Sequence, residues 1–275
     1  MTKTIQHEEK KMNIDFFITE PADVYHGKSA DYLSSHQLID FIRCPWGYYK
    51  KRTIAQPEKE ETALFIGRAA HTLILEGREV YDSEFAVGGP INPNTGKPFG
   101  PTTKKFLDWA QSQNKPVIPA DKAELIETMR SAVDRSELAR EILGRGRAEG
   151  VVRTNYCNIP CQIRVDWFNP DFGIVDLKTC DDLDWFPLDA KKYRYHNQLA
   201  FYQRVMFERT DRIFPVYIVA VEKKEPFRCG VWQVLRETLD NARGENEAAM
   251  ERLQKARETD VWPTGYEELR FLSIN

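Results

Sequence analysis

The sequence predicts an α+β or α/β chain: a small central sheet flanked by helices, with a helical cap at its N-terminal end. Three observations carry that reading. Apolar residues recur at helical spacing between residues 34 and 145, and the helices are punctuated by Ser, Gly and Pro. From Gly150 the period switches to two, and apolar and polar residues alternate through Lys178 with turn formers between runs. A helix, two further β runs and a last helix follow, which is the order of a mixed layered domain.

Residues 1–30 are polar and weakly periodic, and they read as a flexible leader before a single domain spanning 31–275. Within that domain, Ser34-Ser35-His-Gln-Leu-Ile-Asp-Phe-Ile-Arg43-Cys-Pro45 reads as a serine-capped helix with Leu38, Ile39, Phe41 and Ile42 on its apolar face, and Pro45 helps end it. An aromatic-then-basic run, Trp46 to Arg52, comes next. Residues 62–77 form a strongly apolar helix closed by Gly77. Residues 88–102 are a Gly/Pro-rich loop, and loops of this length often carry function. Helices are expected at 102–113, 120–132 and 135–145. Strands are expected at 150–158, 160–168 and 173–178, a helix at 188–208, strands at 214–221 and 228–235, and a helix at 237–258.

The most informative segment runs from Cys161 to Thr179. Asn169, Pro170, Asp171 and Gly173 are turn formers between two alternating runs, so the segment reads as a hairpin. Strand alternation puts Gln162, Arg164 and Asp166 on one face and Ile163, Val165 and Trp167 on the other. On the second strand Ile174, Asp176 and Lys178 share a face opposite Val175 and Leu177. Two carboxylates and an ammonium therefore converge. Crowded carboxylates repel and raise each other's pKa unless a cation sits between them. A hard divalent ion resolves that conflict, and with a neighbouring lysine it suits phosphodiester hydrolysis. A solvated hairpin with an Asp–Lys pair would show the same D-x-K pattern.

Composition sets bounds. The chain has 275 residues, 41% hydrophobic and 29% charged, with a net charge of −3. That length suits one large domain. No apolar run approaches the roughly 20 residues of a membrane span, and no apolar signal core stands at the start, so a cytoplasmic protein without a membrane association is expected. Five cysteines make no even framework, which fits a reducing compartment. The overall charge does not announce a nucleic-acid binder, but positive charge is locally concentrated. Residues 41–55 carry Arg43, Lys50, Lys51 and Arg52 without an acid, and residues 91–105 carry Lys97, Lys104 and Lys105 without one.

These pieces, in this order, resemble the PD-(D/E)XK nuclease superfamily, and more narrowly the exonuclease VIII (RecE) nuclease domain of phages and prophages. The stretches that carry the resemblance are Leu33 to Pro45, Gly67-Arg-Ala-Ala-His71-Thr-Leu-Ile-Leu-Glu76, Asn94-Thr-Gly-Lys97, Cys161 to Asp166, Ile174 to Thr179, and Tyr193-Arg-Tyr-His-Asn-Gln198-Leu-Ala-Phe-Tyr202. The proline that names the superfamily is Val165 here. The resemblance implies a core of a central mixed sheet with flanking helices. It implies that Asp166 and Asp176 bind metal, that His71 and the Leu177 position join the metal shell, and that Lys178 is catalytic. Glu149 would be a further acid assisting a metal, and Gln198 and Tyr202, spaced i and i+4, would lie on one helix face beside the site. Ser35 and Arg43, with Lys50, Arg52, Lys97 and Lys104, would contact DNA.

The same resemblance implies Mg²⁺ dependence with Mn²⁺ as a substitute, and a 5′-to-3′ exonuclease acting on duplex DNA ends. Such an enzyme leaves 3′ single-stranded tails for a single-strand annealing protein of the RecT/Beta kind. It also implies a homo-oligomeric ring, a tetramer before a trimer. Related nucleases with an iron–sulfur cluster place one cysteine early and three late. Here Cys44 is early but only Cys229 is late, so neither an iron–sulfur cluster nor zinc is expected. Two other functions fit the same residues: a structure- or sequence-specific endonuclease, and a non-catalytic protein that binds DNA ends.

Overall fold

A computed structural model describes residues 15–54 and 62–272. In chain order the helices are α1 (Ala22–Gly27), α2 (Ser35–Arg43), α3 (Pro45–Thr53), α4 (Thr62–His71), α5 (Arg78–Glu84), α6 (Lys104–Ser112), α7 (Ala120–Arg135), α8 (Glu137–Ile142), α9 (Phe186–Lys192), α10 (Tyr195–Thr210) and α11 (Arg236–Thr259). A two-residue parallel pair, β1 (Ala86–Val87) and β2 (Val117–Ile118), lies among them. The main sheet holds β3 (Arg147–Tyr156), β4 (Ile159–Asn169), β5 (Gly173–Cys180), β6 (Val216–Glu222) and β7 (Cys229–Gln233), in that spatial order. It is mixed, because β5 and β6 run parallel while the other neighbours are antiparallel.

The central strands are apolar on both faces, as a sheet covered on both sides requires. Ile174, Val216, Ile218 and Ala220 join α2, α10 and α11 through Leu38, Phe41, Leu199, Phe201, Met250 and Leu253. Val175, Leu177, Val219 and Val221 pack on the opposite face against α4 and α7 through Ala70, Ile126 and Met129. The sheet is thus the middle layer of three, and β5 is its buried centre.

Four local departures from the sequence reading have physical causes. The leader expected through residue 30 is packed from residue 15, while residues 1–14 lie outside the described residues. Ile18 exchanges two backbone hydrogen bonds with Val151, covering the outer edge of β3. Phe17 and Tyr25 are buried, and Glu20 pairs with Arg153 and Lys28. Pro45 does not merely end α2. It opens α3 at the first helical turn, where its missing N–H costs nothing. The helix beginning at Thr62 changes to a π-helical turn over Thr72–Glu76 before Gly77.

The fourth departure is the helix expected at 188–208, which is two helices. Arg194 adopts a left-handed backbone (φ 60°) between α9 and α10. Its guanidinium is tied to Asn197 (3.1 Å) and Glu245 (3.0 Å), which fixes the break.

At the C-terminal end of β6 the Glu222 carboxylate is buried. It accepts from the backbone N–H of Leu183 (2.9 Å) and Arg228 (2.8 Å) and from the Arg228 guanidinium (2.6 Å). The Arg228 hydrogen bond holds its pKa down at about 2, against an ordinary 4.5. A depressed carboxylate contributes stability above its unfolded pKa, and that contribution is lost as pH falls through the folded one. Glu222→Gln is therefore expected to lower Tm at pH 7. The gap to wild type should narrow steadily as pH falls from about 4.5 toward about 2, read by thermal unfolding across that window.

Candidate active site

The site grows out of a fork between β4 and β5. Their ladder covers only Trp167↔Val175, Phe168↔Ile174 and Asn169↔Gly173. Beyond it the strands part, and Leu33 takes the place of β5 beside β4. The Leu33 N–H donates to the Pro160 carbonyl (2.8 Å), and the Gln162 N–H donates to the Leu33 carbonyl (2.9 Å). At the crotch of the fork the Asp166 carboxylate stands in for a ladder bond by accepting from the Leu177 N–H at 3.0 Å.

The backbone is also irregular here. In the β3–β4 register Glu149 falls opposite Asp166, and Glu149 is left-handed (φ 54°). Strain of this kind concentrates at functional sites. The facing of β4 slips at this point. Ile163 and Val165 lie in one core, as expected, but Trp167 packs with the opposite core and Phe168 takes its place. Strict alternation failed because it assumes an unbroken ladder. On β5 the expected alternation holds.

Two linked groups of side chains result. In the first, His71, Glu149 and Asp166 each present one donor atom, all within 4.8 Å of one another. His71 Nδ1 is 3.6 Å from Asp166 Oδ2, and Glu149 Oε2 is 2.7 Å from Arg164 Nε. His71 is the last residue of α4, which the apolar face of that helix seats on β5. In the second group, Lys178 Nζ lies 2.6 Å from Asp176 Oδ2. Gln198 Nε2 donates to Asp176 Oδ1 and to the Tyr202 hydroxyl, both at 3.2 Å. The i, i+4 spacing therefore does put Gln198 and Tyr202 on one face of α10, against Asp176. Leu177 joins the groups by its backbone: its N–H meets Asp166, and it makes a backbone hydrogen bond with His71.

The electrostatics are those of acids crowded in a dry place. Burial, then the Asp166 charge, pushes Glu149 up to about 8. Burial also raises Asp166 and Asp176, against the pull of Lys178. Burial and the Lys178 charge bring His71 down to about 4, so its imidazole is neutral at pH 7 and able to ligate. Burial would lower Lys178, but Asp176 and Asp166 outweigh it and keep the ammonium charged. Carboxyls raised in this way are stabilised by a divalent cation, and a neutral imidazole beside two carboxylates is a metal-binding set. The donor set thus fits a divalent metal, which His71, Glu149 and Asp166 are placed to hold.

Asp176 is only 1% exposed: its Oδ2 lies beside Lys178 Nζ, its Oδ1 accepts from Gln198 Nε2, and it is close enough to Asp166 and His71 to feel their charges. The N-cap is Ser34, which forms a reciprocal capping box with Gln37, and Ser35 is buried in the first turn.

The predicted cations spread out. Arg43 is exposed and donates to the Lys192 carbonyl (3.3 Å), and Lys50 lies over the Trp46 ring. Arg52 holds the carbonyls of Ser29 and Ala30, which anchors the N-terminal segment. Lys97 follows a tight turn at Asn92–Gly96, and Lys104 opens α6. Among the described residues no contact joins either lysine to the acids.

Sequence reasoning missed Arg164, His36 and Tyr195. Arg164 was placed on the correct strand face but given no role. His36, in the first turn of α2, has its pKa lowered by partial desolvation and then by Lys178, which puts it within reach of that charge. Tyr195 carries the Lys178 ammonium 4.9 Å from its ring centroid. The Ser-Ser-His and Tyr-His-Asn-Gln strings were the available signals.

With this geometry in place, comparison with known proteins gives a consistent result. The profile described as a PDDEXK-like domain of unknown function (DUF3799) matches residues 34–273. The chain belongs to that family. A crystal structure at 2.19 Å of a protein from Eubacterium rectale, provisionally assigned as an exonuclease, is similar in fold. Its TM-score is 0.67 at 17% identity, over 94% of this chain and 97% of that one. No curated protein matches the sequence. The fold is that of a PDDEXK-like nuclease, a class that typically uses divalent metals. Among the described residues no helix is long and apolar enough to cross a membrane.

The metal-binding reading has a readout that needs no substrate. Mn²⁺ at a hundred times its Kd is expected to stabilise the wild-type fold by about 2.7 kcal/mol, seen as a rise in Tm. His71→Ala and Asp166→Asn should lose most of that rise while folding in chelator. An undiminished rise in both variants would place the metal elsewhere.

Proposed function

We propose that this protein is a Mg²⁺-dependent nuclease that hydrolyses one strand of duplex DNA from its 5′ end, with Mn²⁺ able to substitute. The observation that carries the nuclease reading is the meeting of His71, Glu149 and Asp166 with the Asp176–Lys178 pair at the β4–β5 fork. When bound there, a divalent ion supplies Lewis-acid activation of water and of the phosphate oxygens. The residues of the chain do the rest. His71, Glu149 and Asp166 would hold the ion, and Asp176 and Gln198 would keep Lys178 in place. Lys178, held 2.6 Å from Asp176, is placed to act on the attacking water or to stabilise charge on the phosphorane. Arg43 and Lys50 offer contacts for the DNA backbone, while Lys51 is paired with Asp40 and Arg52 with the carbonyls of Ser29 and Ala30, and a guanidinium can hold a terminal phosphate bidentately.

The 5′-to-3′ direction, the tails left for a single-strand annealing protein, a ring of identical subunits with four favoured over three, and a bacterial cytoplasmic setting are supported by the resemblance to exonuclease VIII. The experiment is a time course with Mg²⁺ on 5′-labelled linear duplex and on closed-circular duplex. Label should leave the linear DNA as mononucleotide, and the circle should survive. Nicking of the circle would favour an endonuclease, and binding without hydrolysis a non-catalytic end-binding protein. Lys178→Ala is expected to lower kcat by at least about 100-fold, the scale seen when one transition-state donor is lost, with little change in DNA affinity. An equal loss of affinity would make Lys178 a phosphate anchor.

A further inference from the structure

Two stacked rings flanked by cations lead from the candidate site to solvent. Lys178 Nζ lies 4.9 Å from the Tyr195 ring centroid. The Tyr195 ring stacks on Tyr193, with centroids 5.9 Å apart and planes 24° from parallel. Lys192 Nζ lies 5.2 Å from the Tyr193 centroid, and the Lys192 carbonyl accepts from Arg43. Tyr195 is half-buried and rests against Phe186, whereas Tyr193 is 46% exposed.

Residues i and i+2 of a continuous helix point away from each other, so the two tyrosines could not stack if α9 ran directly into α10. The left-handed Arg194 between them makes the stack possible. That conformation is costly for a residue with a side chain, and here it is held by Asn197 and Glu245. A buried ring pair would account for such a cost by packing. This pair ends in a ring open to solvent and flanked by cations, so packing does not account for it.

We propose that Tyr193 is a stacking platform for a nucleobase of the DNA strand whose phosphate lies at Lys178, with Lys192 and Arg43 beside it for the adjoining phosphate. The occupant follows from continuity with the site and from the chemistry of the rings and cations. Aromatic faces interleaved with cations are how single strands are held without sequence preference. Lys192 is a long surface side chain able to swing from ring to phosphate. The platform would grip the strand as its bases leave the duplex, making Tyr193 a positioning residue that sets substrate affinity. This inference rests on the nuclease reading for the identity of the strand but not on turnover.

The test measures binding in EDTA, where no cleavage occurs. The probes are end-frayed duplexes carrying 2-aminopurine at successive positions of the 5′-terminal strand, and matched duplexes with an abasic site there. Wild-type protein should quench the fluorescence of one position. Tyr193→Ala should remove that quench and raise Kd by about 5- to 150-fold, the range that stacking one base supports. Tyr193→Phe should keep both. The abasic duplex should bind wild type as weakly as Tyr193→Ala binds intact DNA, with no further loss when the two are combined. An unchanged quench in Tyr193→Ala, or equal wild-type affinity for intact and abasic DNA, would overturn the platform. If base-dependent binding through Tyr193 appears and hydrolysis with Mg²⁺ never does, the nuclease reading fails and the platform stands. Hydrolysis with base-independent binding gives the reverse.

Discussion

One hydrogen bond sits where everything else meets: the Leu177 N–H donating to the Asp166 carboxylate at the crotch of the β4–β5 fork. It replaces a ladder bond where two strands stop pairing. In an unbroken ladder this N–H would meet a backbone carbonyl, and an acid side chain would have no reason to turn into the sheet. Parting of the strands admits Leu33 and brings α2 to the mouth. It also leaves Asp166 between Glu149 on one side and the Asp176–Lys178 pair on the other. The fork is thus both a fault in the sheet and the frame of the site.

The charges around it do not balance locally. Burial raises Glu149, Asp166 and Asp176 together, and Lys178 and Arg164 compensate only in part. Asp176 lies against Lys178 and Gln198 and also feels the charges of Asp166 and His71. Removing one member of a buried ion pair strands the other, typically at about 3–5 kcal/mol, so this pair bears on stability as well as on chemistry.

Much of this was legible in the sequence. The turn at Asn169–Gly173 fixed the hairpin, and the period of two placed Asp176 and Lys178 on one face. The i, i+4 spacing joined Gln198 to Tyr202, and the apolar helix ending at His71 was delimited by Gly77. What was not legible depends on contacts between distant segments. The change of face that sends Trp167 to the other core accompanies the left-handed Glu149 opposite Asp166, which nothing in a strand-like string announces. The break at Arg194 needs Asn197 and Glu245, the latter some fifty residues away. The anchoring of residues 15–30 needs Arg153 and the free edge of β3. Ser34 and Ser35 were equal candidates for the cap until Gln37 chose between them.

The central claim is that the fork assembles a divalent-metal site from His71, Glu149 and Asp166 beside the Asp176–Lys178 pair. The most direct measurement is a crystal structure of crystals grown with Mn²⁺, read by anomalous scattering. The account predicts one strong peak about 2.1 Å from a donor atom of each of those three residues, with the Asp176–Lys178 contact intact. An anomalous map with no peak in the fork, or a peak ligated by Asp176 with His71 and Glu149 out of reach, would contradict it.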